Sequence, residues 1–135
     1  MAKKITELPA LPSLDAGDLV PAVDATDATT KQMTATQLRT RQVDPKLAGY
    51  TLQATDCGKT ITIDAAGPVD VTVPALGAGF WVEVIQLGAG QVTFVVSGTT
   101  LRNRQSHTKV AGQYGRVGLT FHAGSEFTLF GDTAA

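Results

Sequence analysis

From residue 46 onward the chain alternates apolar and polar residues with a period of two, in short stretches separated by glycine. Ile61 and Ile63 alternate with Thr60, Thr62 and Asp64, and Val69, Val71 and Val73 alternate with Asp70 and Thr72. The same grammar returns in Val92, Phe94 and Val96, in Val117, Leu119 and Phe121, and in Phe127 and Leu129. Side chains of a strand point alternately to its two faces, so this spacing puts the apolar set on one side; a helix would scatter it. Most of the 14 glycines fall in this half, among them Gly58, Gly67, Gly77, Gly79, Gly98, Gly112 and Gly124, at the joints between stretches. Short β-branched strands with such punctuation predict an all-β fold, an antiparallel β-sandwich or jelly-roll-like domain over residues 46–135. No repeat recurs at a fixed period, which argues against a solenoid or propeller.

One stretch departs from the alternation. In Phe80 to Leu87, Phe80, Val82 and Val84 face one way while Trp81, Ile85 and Leu87 face the other, with only Glu83 and Gln86 interrupting. A strand apolar on both faces is expected to be buried on both, either at the centre of a sandwich or at a contact between subunits. Trp81, Ile85 and Leu87 are therefore the candidate subunit interface. The following Gly88-Ala-Gly90 reads as a tight connection, which predicts a hairpin with Gln91–Ser97.

Residues 1–45 follow a different grammar. Four of the six prolines, Pro9, Pro12, Pro21 and Pro45, lie here and exclude a long helix. The apolar residues come in small clusters, Ile5 with Leu8, Leu11 with Leu14, and Leu19 with Val20 and Val23. Such clusters suit an extended arm lying on another surface. Within it, Asp18–Val23 and Thr30–Met33 are expected to form a small hairpin. The T-x-x-Q spacing of Thr34 and Gln37 resembles a capping box that opens a short helix over 35–41, ended by Asp44-Pro45.

Net charge is −1, so no general attraction to nucleic acid or to anionic lipid follows. No apolar run reaches the ~20 residues of a membrane span, and the N-terminus lacks the apolar core of a signal peptide. The single cysteine, Cys57, staples nothing within one chain and has no metal-ligating companion, which fits synthesis in a reducing compartment. Catalytic signatures are equally thin. Cys57 lies in a polar turn without the surroundings of a nucleophile. Asp15, Asp18, Asp24 and Asp27 do not match a calcium loop, and the Gly-x-Gly pairs lack the third glycine and helix of a phosphate cradle. Glu83 and Glu126 are the only strand carboxylates nominated for a paired-acid hydrolase. No catalytic residue, metal or cofactor is expected. Arg102-Asn-Arg-Gln-Ser-His-Thr-Lys109 is the most basic stretch of the second half, and Arg102, Arg104 and His107 are its candidate ligand contacts. Trp81 and Tyr114 are candidate aromatic platforms.

The arm reads Lys4-Ile-Thr-Glu-Leu-Pro-Ala-Leu, then Leu14-Asp-Ala-Gly-Asp-Leu-Val-Pro-Ala-Val-Asp24, then Thr30-Lys-Gln-Met-Thr-Ala-Thr-Gln-Leu38. It resembles the N-terminal segment of phage tail-fibre, tail-spike and head-fibre proteins, whose pattern is I-x-x-L-P, D-x-L-x-P-V and T-K-x-x-T followed by a short helix. The second half, with Tyr50-Thr-Leu, Asp56-Cys-Gly-Lys, Val71-Thr-Val-Pro74, Gly88-Ala-Gly-Gln-Val-Thr-Phe94 and Phe127-Thr-Leu-Phe-Gly-Asp132, is similar to β modules of such proteins. Those modules commonly end in W-x-x-x-G, where this chain has Phe127. The resemblance implies a non-enzymatic structural protein of the virion, made in the host cytoplasm. Its arm would attach to the major capsid protein or to a tail or connector protein, through Ile5, Leu8, Leu19, Val20 and Val23. A homotrimer is the assembly it implies. Tail fibres of this kind carry a long shaft and a separate tip. The short chain fits a capsid decoration or head fibre at least as well, and that is the expectation taken, with a short tail fibre or tail-associated receptor- or glycan-binding protein as the alternative.

Overall fold

The computed structural model describes residues 19–23, 30–34 and 40–135. Contacts group the chain into two units, Met1–Thr40 and Arg41–Ala135. In the first unit β1 (Leu19–Val23) and β2 (Thr30–Thr34) pair antiparallel with Leu19 opposite Thr34, the hairpin expected from the sequence. The helix expected over 35–41 falls mostly outside the described residues. Asp44 and Pro45 do not end a helix: they lie inside strand β3 (Val43–Lys46), which belongs to the second unit. The β module thus begins a few residues earlier than residue 46.

After β3 come β4 (Tyr50–Thr51), a 3-10 turn at Ala54–Asp56, β5 (Thr60–Ile63), β6 (Val69–Pro74), β7 (Trp81–Gln86) and β8 (Val92–Ser97). The remaining strands are β9 (Thr100–Arg102), β10 (Lys109–Val110), β11 (Arg116–Ala123), β12 (Glu126–Gly131) and β13 (Thr133–Ala134). Among the described residues they form a six-stranded sheet in the order β3-β5-β7-β11-β12-β9 and a five-stranded sheet in the order β13-β10-β8-β6-β4. Inward residues of both sheets share one core: Ile61, Ile63, Val82, Val84, Val117, Leu119, Phe127 and Leu129 from the first, and Val71, Val73, Val92, Phe94 and Val110 from the second. Phe121 is its aromatic centre, edge-on to Phe80 at 5.9 Å and stacked on Phe127 at 5.2 Å. The period-two reading of the core therefore holds in these strands except at the end of β8, where Val96, expected on the inward face with Val92 and Phe94, is exposed.

The expectation of an antiparallel domain does not. β3, β5 and β7 run parallel to one another, as do β4, β6 and β8, and β9 runs parallel to β12; the sheets are mixed. From β3 to β8 the chain crosses to the opposite sheet after every strand, so each pass stacks on the one before it as a coil of a short solenoid. The expected hairpin between β7 and β8 is absent for the same reason. β7 lies between β5 and β11, and β8 between β6 and β10. Gly88 and Gly90 instead form a corner pressed against the corner of the preceding coil. Gly90 N–H donates to Ala65 O at 2.8 Å, and a Cβ on Gly88 or Gly90 would collide with the carbonyl oxygens of Ala65 and Gly67. No fixed period announces this stacking because the coils are unequal. Val43, Thr60 and Glu83 stand in line in one sheet, and Tyr50, Val71 and Phe94 in the other.

Polar side chains hold the corners. Gln86, fully buried, accepts from Val92 N–H at 3.2 Å and donates to Gly88 O at 3.2 Å, bridging the corner from inside. Asp56, also buried, accepts from Tyr50 Oη at 2.9 Å, from Gln53 N–H at 2.8 Å and from Lys59 Nζ at 3.3 Å. Burial, and then the Asp56 carboxylate, push the Tyr50 hydroxyl up to about 12. At the β3 edge of the sheet, Thr60 N–H and Asp64 N–H bond to Gln42 O and Lys46 O, so in a parallel ladder the backbone of Val43 and Pro45 points away from β5. Pro45 brings no N–H to that edge, which blunts it against strand addition.

Candidate interaction face

The outward face of the six-stranded sheet carries Trp81 and Phe130, two large side chains that the core does not use. Strand register sets two adjoining rows across it. Thr60, Glu83, Gly118 and Phe130 form one; Trp81, Thr120, Thr128 and Arg102 form the next. Trp81 on β7 and Phe130 on β12 thus rise on either side of the small residues of β11. They enclose a groove of about 360 Å3 whose lining includes Arg41, Glu83, Arg116, Gly118 and Thr120. Phe130 is 53% exposed, yet its ring lies directly over Gly118, where a Cβ would collide with it. The glycine makes room for the ring, and the ring shields a central strand that lacks a side chain of its own.

Glu83 is the electrostatic centre. It accepts from Arg41 Nη1 at 2.9 Å, from Thr60 Oγ1 at 2.9 Å and from Arg116 Nε. Burial pushes its carboxyl up, but the bonds from Arg116 and Thr60 and the two guanidinium charges outweigh that and hold it below the usual range. The Arg41 guanidinium also stacks over the Trp81 ring at 4.7 Å, a cation–π contact that fixes the indole from one side. One carboxylate against two arginines leaves the groove with a net positive rim. A carboxyl so held is ionised and coordinated, which is the opposite of what a general acid needs. Glu126, the other carboxylate nominated for a paired-acid site, is held low by the Arg102 hydrogen bond and then by His122.

Of the candidate interface residues, Trp81 is 38% exposed and Leu87 37%, and Ile85 is half-buried between them. Within one chain, then, the outer side of β7 is not covered as its inner side is, contrary to the expectation of burial on both faces. Trp81 meets the Arg41 guanidinium there instead of a second layer. Arg41 and Phe130 were not singled out in the sequence. Phe130 was legible, because it shares the outward parity of Thr128 in Phe127-Thr-Leu-Phe; Arg41 was hidden by the expected helix.

The candidate ligand contacts Arg102, Arg104 and His107 do not converge. Arg102 lies in β9 and binds Glu126 through Nε at 2.9 Å and Nη2 at 3.2 Å, with His122 Nε2 3.3 Å from the same carboxylate. His107 is half-buried with Nδ1 3.1 Å from Thr133 Oγ1, and Arg104 is exposed. Asn103 organises the loop, accepting through Oδ1 from Gln105 N–H and His107 N–H at 2.8 and 3.1 Å. Of the candidate anchoring residues, Leu19, Val20 and Val23 lie in β1, and Ile5 and Leu8 lie outside the described residues. Cys57 is exposed and unpaired, and among the described residues no group of three or more His, Cys, Asp or Glu is placed to hold a metal ion. No known family model matches the chain, and no curated protein matches it.

Proposed function

We propose that this chain is a non-enzymatic structural protein of a phage particle, attached through its N-terminal arm and displaying the β module as a capsid decoration or head fibre. The observation that carries the reading is the pairing of a distinct first unit, whose hairpin bears the fibre-like sequence, with a β module whose polar clusters are spent on its own architecture. Glu83, Asp56 and Glu126 each have their hydrogen bonds taken by neighbouring groups, and among the described residues no catalytic constellation is left over. The outer face around Trp81, Leu87 and Phe130 is the surface through which copies associate as a trimer, since exposed aromatic and aliphatic side chains around a groove are what a subunit contact covers. Pro45 at the β3 edge argues for contact through that face over strand addition there.

Two measurements test the proposal. Val20→Asp with Leu8→Asp in the full chain should leave the β module folded and abolish incorporation into particles; normal incorporation would remove the arm as anchor. Light scattering on the purified chain should give a trimer that Trp81→Glu dissociates. A monomer at all concentrations would remove the outer face as a subunit contact.

A further inference from the structure

At the margin of that face, sharing Gly131 with the groove, the turn Gly112–Gly115 and the corner at Asp132 border an open basin of about 530 Å3, lined by Gln105, Gln113, Tyr114 and Asp132 among others. Among the described residues only Ser106 and Tyr114, apart from glycines, have positive φ, at 60° and 66°. The first adjoins Gln105 and the second lines the basin. Tyr114 is forced there by a tight turn, with Gly115 N–H bonded to Gly112 O at 2.9 Å and Tyr114 N–H to Gln86 O at 2.6 Å. An aromatic residue in left-handed backbone is strained where glycine would not be. Packing does not explain the choice, because Tyr114 is 73% exposed and takes no part in the core. A strained, outward-held aromatic ring is the kind of outlier that marks a functional position.

The neighbouring polar groups are partly fixed and partly free. Gln113 donates through Nε2 to Leu87 O at 2.9 Å, which orients the amide and leaves its carbonyl oxygen to the basin. Asp132 accepts Arg116 N–H at 3.1 Å on one carboxylate oxygen, and among the described residues its other oxygen meets no donor. Gln105 is anchored by its backbone N–H on Asn103 and keeps its side-chain amide free. Planar amide and carboxylate groups beside an exposed aromatic ring match the chemistry of a sugar, whose hydroxyls take paired hydrogen bonds while its C–H face lies on the ring. No arginine or lysine lines the basin and Asp132 is anionic, so an acidic ligand is disfavoured. The volume falls within the roughly 300–1,000 Å3 of small-ligand sites.

We infer that this basin binds a neutral saccharide, with Tyr114 as its stacking platform and Gln105, Gln113 and Asp132 bonding its hydroxyls. The inference does not depend on the virion reading and moves the ligand contacts away from Arg102, Arg104 and His107. The test is saturation-transfer NMR of the full-length chain against a panel of neutral and acidic oligosaccharides, followed by Tyr114→Gly. A neutral oligosaccharide should bind saturably. Tyr114→Gly should weaken it by about tenfold or more, as loss of a stacking contact does, while the thermal midpoint stays level or rises because the strain is relieved. Asp132→Asn should shift the preference among neutral sugars without unfolding the chain. Binding of acidic sugars alone, binding unchanged in Tyr114→Gly, or no binding to any neutral member of the panel overturns the inference.

Discussion

Replacing Gln86 by leucine separates two accounts of the β module. By hydropathy alone the change should stabilise. Gln86 is one of only two polar residues in an otherwise apolar stretch, its side chain is fully buried, and leucine has a similar volume. Burying the extra apolar surface contributes about 1.5 kcal/mol. The geometry predicts the reverse. The amide is the partner of Val92 N–H and Gly88 O, both 3.2 Å away and both buried with it at the corner between the two sheets. Leucine leaves a donor and an acceptor without a partner, at roughly 1–3 kcal/mol each. The corner cannot open to let water in cheaply, because Gly88 and Gly90 already lie against the Ala65–Gly67 backbone. The net expectation is a loss of about 2 kcal/mol, which for a module of this size lowers the thermal midpoint by roughly 8–16 °C. Urea unfolding followed by Trp81 fluorescence, with the slope unchanged, is the direct assay. A Gln86→Leu chain as stable as the parent, or more so, would refute the assignment of that side chain as the corner's hydrogen-bonding partner.

Phe130→Ala should destabilise by about 1 kcal/mol or more despite the exposure of the ring, because it uncovers Gly118 in a central strand; unchanged urea midpoints would show that the ring merely rests there. Tyr50 gives an alkaline signature. Its folded value, about 12, lies above its ordinary 10.0, so its contribution is complete below pH 10 and is lost as pH climbs towards 12. The stability difference between the parent and Tyr50→Phe should therefore shrink across that window, and a constant difference would contradict the part-buried bond to Asp56. Glu83 gives the acid counterpart. Its folded value is depressed, so its contribution is present above the ordinary carboxylate range and disappears as pH falls through the folded value. Glu83→Gln should lower the urea midpoint at pH 7 and matter little near pH 2; equal effects at both would mean that the arginine pairing adds nothing.

The inward face of nearly every strand was legible in the sequence. Ile61 and Ile63, Val71 and Val73, Val117 and Leu119, and Phe127 and Leu129 all point to the core as their period of two requires. Alternation assigns faces, though, and says nothing of partners. The same Val92-Thr-Phe94 pattern is satisfied whether β8 folds back on β7 or crosses to the opposite sheet, since either arrangement buries the same residues. The information that decides between them sits in the corners, and it is the absence of side chains at Gly88 and Gly90 that lets one coil's backbone lie on the next. A glycine-rich connection between two strands signals a hairpin and a stacked corner alike, and unequal coils erase the period that would have told them apart.

The candidate sites divide along the same line. Trp81 and Leu87 announced an outward apolar face because strand parity alone fixes their direction. Arg41 and Glu83 meet from residues 42 positions apart, through a parallel pairing that no local pattern encodes, and Tyr114 joins Asp132 by a turn whose backbone angle the residue type argues against. Arg102, Arg104 and His107 looked like a site because they are close in sequence. A strand and an Asx-type turn send them in different directions, Arg102 onto Glu126 and His107 onto Thr133. In a fold whose neighbours come from successive coils, convergence in space belongs to residues one or two coils apart, and a run of similar residues along the chain is poorly placed to build a pocket.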